Sequence, residues 1–475
     1  MRPFAPRRLA PVSAAVLALT LGFALPAAAA PGDKVWQAAY NGPGAGSEGR
    51  FVARSSDGSQ IFVAADTAPG TADPTDIVTI AYSAATGAKQ WTATINGPAN
   101  GLDQAAGIVA NPAADLVYVT GSITSVSGGP NWRTTAYSTA TGAVVWSRGF
   151  AGADGLEDVV TAITVAPGGG RVFVTGSESF GSGGSAIRTI AYDARTGAPV
   201  WARRLGDAGS NAIPSAVVTN PAGNRVFVAG GLNTGSGSHA IVAAYRASDG
   251  APQWTSTAPN APALPGGTNP YDQYMAAGVS PDGTKVYATG LVTTGPSSSS
   301  IITTALNAAT GTAAWSKRRA AATTGQAGGI TLSVGPGGGR IFVAGAQETA
   351  TGSADWIVLS YAVTDGSTVW TRGIGGSANT KDIPKGAVLR PDGGRLFVAG
   401  YVQNSGSGYD GRILAFSPVD GATVWQRTQD GPSHLDDAFF AVTVGPGGGR
   451  VFVTGATQTA LSPPAFSALT VAYEG

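Results

Sequence analysis

Short apolar runs alternate along the chain with clusters of glycine and polar residues, and the pattern returns about every 55 residues. Its clearest marker is an apolar tripeptide such as Val172-Phe173-Val174, whose β-branched and aromatic content is typical of a strand. In the surrounding unit the pattern predicts strands at residues 144–148, 159–165, 171–175 and 187–192. The connections are too short for helical crossovers, so the four strands are predicted to form an antiparallel sheet.

One tryptophan accompanies each tripeptide, and both markers occur eight times. The tripeptide strand is apolar on both faces, so each sheet needs a neighbour on either side. These observations predict an all-β fold, an eight-bladed β-propeller of four-stranded antiparallel blades that occupies residues 31–475 as a single domain. The regular spacing predicts that the tryptophans pack between blades: Trp36, Trp91, Trp146, Trp201, Trp254, Trp315, Trp370 and Trp425.

The two ends of the repeat region are complementary. The region begins with a lone tryptophan strand at residues 35–39 and finishes with three strands that lack one. We therefore expect the N-terminal strand to complete the last blade, which would remove two exposed sheet edges. An open solenoid is the alternative.

Residues 1–30 resemble a targeting segment. Three arginines among the first eight residues, an apolar stretch at 12–25 and small residues at 27–30 are typical of a secretory signal peptide. The sequence therefore predicts a secreted protein, with a retained membrane anchor as the alternative. The chain has no cysteine, which excludes a lipid-anchor cysteine, disulfides and thiolate zinc sites.

The net charge of the chain bears on which classes of partner are expected. Without the three arginines of the leader the chain carries 26 basic residues (29 minus 3) against 28 acidic ones. This near-neutral balance argues against nucleic acid and anionic membranes as partners. We expect a monomer without a membrane span.

The segment before each tryptophan carries a family resemblance. Residues 191–201, Ala-Tyr-Asp-Ala-Arg-Thr-Gly-Ala-Pro-Val-Trp, resemble the eleven-residue tryptophan-docking motif of quinoprotein (PQQ-dependent) alcohol dehydrogenases. Related copies end at Trp91, Trp146 and Trp315. The resemblance implies membership of the PQQ-like β-propeller repeats, with each indole packed against the next blade.

The same resemblance bears on chemistry. It implies that quinoprotein alcohol dehydrogenases hold the quinone against a ring formed by two adjacent, disulfide-bonded cysteines. It also implies that they use an aspartate base beside calcium. A chain without cysteine cannot form that ring, and no catalytic aspartate matches, so we expect neither PQQ binding nor catalysis. Related repeats also build non-enzymatic scaffolds, such as a bacterial outer-membrane assembly lipoprotein.

Acidic residues recur at one position of the repeat, just before the innermost strand. This strand-start column reads Ser47, Asp103, Asp158, Ala212, Asp272, Ala327, Asp382 and Asp437, with Glu48 and Glu157 beside it. In one interpretation each aspartate accepts backbone N–H groups and fixes its loop. In the other, the carboxylates converge at the mouth of the channel on a cation such as calcium, or on a polyhydroxylated ligand.

A second column precedes the tripeptide and is mostly basic. It reads Gln60, Leu116, Arg171, Arg225, Lys285, Arg340, Arg395 and Arg450. Antiparallel alternation places it at the opposite end of the sheets, so one acidic and one basic mouth are predicted.

Four further residues fall outside these columns. Trp132 and Trp356 lie out of the docking register, either as extra core contacts or as exposed platforms for a glycan or protein. His239 and His434, the only histidines, are predicted in polar loops, too few for a histidine-rich metal site.

The leading hypothesis is a secreted, non-catalytic binding or scaffold propeller with an unknown protein or glycan partner. The alternative is an extracellular enzyme, either a divergent quinoprotein-like dehydrogenase or a carbohydrate-active lyase or hydrolase.

Overall fold

A computed structural model describes residues 29–475 except 43, 45, 69–74, 127–128, 153–154, 182, 236, 259–270, 322–324, 350–351, 379, 407 and 463. The predicted signal peptide therefore lies almost wholly outside the described residues.

The described residues contain 32 β-strands and no helix, which confirms the all-β prediction. Seven repeats contribute four antiparallel strands each, in chain order, and the last repeat contributes three. The first strands are β2 (Gly46–Arg54), β6 (Gln104–Ala110), β10 (Val159–Val165), β14 (Asn211–Thr219), β18 (Gln273–Val279), β22 (Ala327–Val334), β26 (Ile383–Leu389) and β30 (Asp437–Val444). The second strands are β3 (Gln60–Ala68), β7 (Leu116–Thr124), β11 (Arg171–Ser179), β15 (Arg225–Thr234), β19 (Lys285–Gly295), β23 (Arg340–Glu348), β27 (Leu396–Asn404) and β31 (Arg450–Leu461).

The outer half of each sheet follows the same order. The third strands are β4 (Asp76–Ser83), β8 (Pro130–Ser138), β12 (Ser185–Asp193), β16 (Gly237–Arg246), β20 (Ser298–Asn307), β24 (Ala354–Ala362), β28 (Gly408–Phe416) and β32 (Pro464–Glu474). The fourth strands are β5 (Lys89–Ile95), β9 (Val144–Phe150), β13 (Pro199–Leu205), β17 (Pro252–Thr257), β21 (Ala313–Ala320), β25 (Thr368–Ile374) and β29 (Thr423–Gln429). The remaining strand, β1 (Lys34–Tyr40), pairs antiparallel with β32.

The sheets lie side by side through their first strands. The first strand of each repeat contacts that of the next, and β2 also contacts β30. One parallel bridge, Gly46 to Phe466, joins the sheet of β2 to β5 with that of β30 to β32 and β1. The starts of all first strands therefore lie on one side of the assembly, which we call the loop face.

The second strands form the core because both of their faces are covered. Val172, Phe173 and Val174 are fully buried. Further along β11 the pairing with β10 slips by one residue, between the Gly176–Val160 and Thr175–Ala162 pairs. A Cβ at Gly176 would lie 2.3 Å from the Val159 carbonyl oxygen and 2.5 Å from the Trp132 ring, so the close packing requires glycine there.

Each docking tryptophan joins its own sheet to the next. The Trp201 ring centroid lies 5.8 Å from that of Phe173 in its own sheet and 6.2 Å from that of Tyr245 in the next. Its Nε1 donates to the Ala247 carbonyl at 2.9 Å. Gly250, at φ 68°, lies directly against the indole ring. Burying one such ring contributes about 4–6 kcal/mol at about 25 cal/mol per Å².

The basic column reinforces the same contacts. The carbonyl of Ala308, which accepts from Trp254 Nε1, also accepts from Arg225 Nη1 at 2.7 Å. Lys285 and Arg450 likewise donate to the carbonyls of Val363 and Ala84, which Trp315 and Trp36 contact. These cations therefore hold neighbouring sheets together besides contributing positive charge.

Trp425 packs where the first described residues pair with the end of the last strand, β32. Gly32 lies against its ring, and Gly32 N donates to the Glu474 carbonyl at 2.8 Å. Among the described residues, Trp425 Nε1 has no hydrogen-bond partner. Trp201 and Trp425 are both 7% exposed, so they differ chiefly in this hydrogen bond.

We predict that Trp201→Phe lowers the free energy of unfolding more than Trp425→Phe does, by about 1 kcal/mol. Both variants lose indole area, but only Trp201→Phe removes a donor from a buried carbonyl. Urea unfolding followed by far-UV circular dichroism measures the difference. Equal losses in the two variants would contradict a role for the hydrogen bond.

Candidate functional site

The aspartates of the strand-start column are buried and hold the backbone of the loop face. Asp158 accepts Gly152 N at 2.5 Å and Ser179 N at 3.0 Å, so it ties the loop before β10 to the end of β11. Asp382 accepts Gly376 N at 2.5 Å and Gln403 N at 2.7 Å in the same way. The remaining cap of this type is Asp103, with Gly97 and Thr124, whereas Asp272 accepts Thr293 N.

This geometry differs from the expectation that the carboxylates face the mouth. The five aspartates are at most 5% exposed, because the N–H groups that they satisfy lie inside the protein: Asp103, Asp158, Asp272, Asp382 and Asp437. The column members without a carboxylate are buried as well: Ser47, Ala212 and Ala327. The structure thus has the geometry of the backbone-capping interpretation.

The residue before the column is exposed in seven of the eight repeats, because successive strand residues point to opposite sides. We call these the rim positions, and their chemistry varies widely: Leu102, Glu157, Asn211, Tyr271, Gln326, Lys381 and Asp436. A constant buried position therefore alternates with a variable exposed one around the loop face.

The sequence contained an unused signal for the caps. In four repeats a glycine stands six residues before the aspartate and donates its N–H to that carboxylate: Gly97, Gly152, Gly376 and Gly431. A Cβ at Gly152 would lie 3.0 Å from Asp158 Oδ2, so glycine gives the carboxylate room.

Burial changes the acidity of this column. Desolvation raises the pKa of Asp103, Asp272 and Asp382, while the backbone N–H groups that they accept oppose the rise. Desolvation also raises the pKa of Asp437, and the negative charges of Asp430 and Asp410 raise it further.

Asp437 stands in a cluster of carboxylates that the other caps lack. Asp410 on β28 and Asp430 in the loop after β29 each place a carboxylate oxygen within 4.8 Å of the others and of Asp437. Sequence analysis missed Asp410, although an acidic residue within a third strand was a visible signal.

The other predicted site residues are dispersed. Glu48 forms a salt bridge with Arg50 at 2.8 Å, and Arg50 also bonds Asp66. Glu157 is an exposed rim residue. Trp132 and Trp356 are both 1% exposed, so they are core contacts and not stacking platforms.

The histidines lie in different settings. His239 belongs to strand β16, so its prediction as a loop residue was wrong. His434 lies in the exposed loop before β30, and its Nδ1 is 2.7 Å from Asp430 Oδ2.

A cavity of about 760 Å³ opens at the opposite end of the sheets, between the repeats of β11 and β15. Arg171, Arg225 and Arg246 line it, and no aspartate of the strand-start column does. The charged side chains that line this cavity are therefore basic, and they lie far from the loop face.

Among the described residues no helix is long and apolar enough to cross a bilayer.

A family model described as outer membrane protein assembly factor BamB matches residues 130–295 and 298–462. The chain belongs to this family of PQQ-like β-propeller repeats. The match covers most of the repeats, and the resemblance of the tryptophan-docking motif is thereby confirmed. No curated protein matches the chain.

Solved propellers share the fold at low identity. Sqt1 of Chaetomium thermophilum, bound to the N-terminus of ribosomal protein L10, is 12% identical with a TM-score of 0.56, over 94% of this chain and 100% of that one. Quinohemoprotein alcohol dehydrogenase ADHIIG of Pseudomonas putida HK5 is 13% identical with a TM-score of 0.55, over 93% and 76%. At such identities the likeness shows the fold alone. The similar structures include both a protein-binding propeller and an enzyme.

We predict that Asp158→Asn lowers the free energy of unfolding by about 1–3 kcal/mol. An amide offers one oxygen, so one of the two partly buried N–H groups, of Gly152 or Ser179, loses its acceptor. Glu157→Gln, the exposed neighbour, is the matched control and should stay within about 0.5 kcal/mol of wild type. Urea unfolding of the three proteins tests this, and an unchanged Asp158→Asn would contradict the capping role.

Proposed function

We propose that this protein is a secreted, non-catalytic binding scaffold that holds a partner against its loop face. One observation carries the proposal: buried caps fix the strand starts, while the adjacent rim positions are exposed and chemically diverse. A position that is buried in every repeat, beside a surface that varies from repeat to repeat, is the feature of a recognition face.

The proposal includes the finer architecture, a single eight-bladed propeller over residues 31–475 closed by its first strand. The pairing of β1 with β32 supports it, because this pairing supplies the fourth strand that the last repeat lacks. The contact between β2 and β30 supports it as well, since each then has a neighbour on both sides.

The rim chemistry favours a protein or glycan partner over a small molecule. Tyr271 is 68% exposed and Leu102 is 61% exposed, and aromatic and apolar side chains of this kind supply contact area at interfaces. Lys381 and Asp436 add charges of both signs to the same rim. Sqt1, a protein of the same fold, is bound to the N-terminus of another protein, so the fold can carry such a partner.

An extracellular enzyme is the second candidate. The convergence of Asp410, Asp430 and Asp437 favours it, because acid–base sites are built from clustered carboxylates, and burial raises the pKa of one of these three, Asp437. Two of the three are buried, which restricts access of a substrate to them. The lack of cysteine argues against the quinoprotein version.

We predict that Ala38→Cys combined with Thr470→Cys forms a disulfide. The two residues are directly opposed in the β1–β32 ladder, so their Cβ atoms lie near the distance that a disulfide needs. The oxidised protein should gain up to about 5 kcal/mol against urea, and dithiothreitol should abolish the gain. The chain has no other cysteine, so each single variant is a clean control. Failure to oxidise would argue against closure by β1.

We predict that a photocrosslinking amino acid at Tyr271 captures the partner from the secreted proteins and polysaccharides of the source cells. The same residue at Val419, which is 71% exposed in a turn at the opposite end of the sheets, is the control. A discrete adduct from position 271 and none from position 419 is expected on gels and by mass spectrometry. Adducts from position 419 alone would contradict a binding role for the loop face.

A further inference from the structure

Asp437 differs from the other caps in one hydrogen bond. Four caps direct one oxygen to the N–H of the residue 21 positions later, namely Thr124, Ser179, Thr293 or Gln403. In the last repeat that residue is Gln458, and its N–H donates instead to the Asp436 carbonyl at 2.9 Å. Of the backbone N–H groups in the described part of the chain, Asp437 accepts that of Gly431 alone, at 2.6 Å on Oδ2.

The freed oxygen is buried. Asp437 is 1% exposed, and its Oδ1 forms no hydrogen bond with any described residue. The Thr457 hydroxyl, in a residue 7% exposed, lies close enough to this carboxylate to lower its pKa, yet it makes no full hydrogen bond within the described part of the chain. Both oxygens face the space beside Gly431, within 3.0 Å of where its Cβ would stand. A buried oxygen without a donor destabilises the fold unless something else binds it.

Acidic side chains from two sheets meet beside Asp437. Asp410 comes from β28, and Asp430 and Asp437 flank the loop that leads into β30. Oxygens of all three carboxylates lie within 4.8 Å of one another, so negative charges from two sheets meet in one small space.

Neighbouring groups interact with two of these carboxylates. The Asn404 amide donates to Asp410, and His434 Nδ1 lies 2.7 Å from Asp430. The Arg412 guanidinium interacts with the charges of both Asp410 and Asp382. Arg412 is thus shared between this cluster and the cap Asp382.

We propose that Asp410, Asp430 and Asp437, with the Thr457 hydroxyl, bind a calcium ion that links the sheet of β26–β29 to the sheet of β30. Carboxylate and hydroxyl oxygens are ligands for hard cations, and calcium accepts the irregular sets of oxygens that loops provide. The ion would supply the partner that Asp437 Oδ1 lacks and neutralise negative charge. The remaining coordination positions would be filled by water or backbone carbonyls.

This site is separate from the proposed recognition of a partner by the rim, because two of its three carboxylates are buried. Its expected effect is on stability. A cation that binds the folded state alone raises the melting temperature with concentration.

The test uses the full mature protein, freed of metal with EDTA and dialysed. Calcium chloride is titrated by isothermal calorimetry, and thermal unfolding is followed in parallel. We expect one saturable site and a melting temperature that rises with calcium. Magnesium chloride should bind more weakly, because magnesium demands a regular octahedral set.

Matched variants locate the site. Asp430→Asn changes a partly exposed side chain, so the fold should survive, and calcium affinity should fall by about tenfold or more. Asp410→Asn should act alike, whereas Asp158→Asn, a cap in the distant sheet of β10–β13, should keep the calcium-dependent shift. The proposal is overturned if wild type shows neither heat nor a shift up to about 10 mM calcium, above the range of extracellular calcium modules. It is also overturned if Asp430→Asn binds calcium as wild type does.

Discussion

Coverage of one sheet by the next is the constraint on which this structure depends. The second strand of each repeat buries both faces, as Val172, Phe173 and Val174 show, and no single repeat can provide that cover. The docking tryptophan meets this need in two ways. Its large ring packs against the neighbouring sheet, and its indole N–H donates to a carbonyl in a turn of that sheet. Trp201 does both through Tyr245 and Ala247. A chain without disulfides can therefore be stable through repeated contacts of one type.

Several charged side chains also hold the sheets and loops in place. Arg225 and Lys285 donate to turn carbonyls of the next sheet, and Asp158 and Asp382 hold the loops at the opposite end. These groups would suggest functional mouths if they were judged by charge alone. Their partners are backbone groups, so they stiffen the frame and leave the exposed rim positions free to vary. That division of roles is what makes a binding face the function best supported here.

The last repeat shows how a small change in a repeat can create a new site. When Gln458 N turns to the Asp436 carbonyl, Asp437 loses one donor and keeps a buried oxygen. Asp410 and Asp430 then approach that oxygen from an adjacent strand and loop. The caps at Asp103 and Asp158, which keep both donors, show that the change is local to this repeat.

The sequence by itself determined the strands, their antiparallel order and the packing role of the tryptophans, because alternation and spacing report local structure directly. It predicted strands at 159–165 and 171–175, and the structure has them at Val159–Val165 and Arg171–Ser179. Only the tertiary structure decided that the strand-start aspartates turn inward, that Trp132 is core, and that Asp410 approaches Asp437. Those facts depend on how strands of different sheets align to within a hydrogen-bond length. Periodicity along one chain carries no information on that alignment.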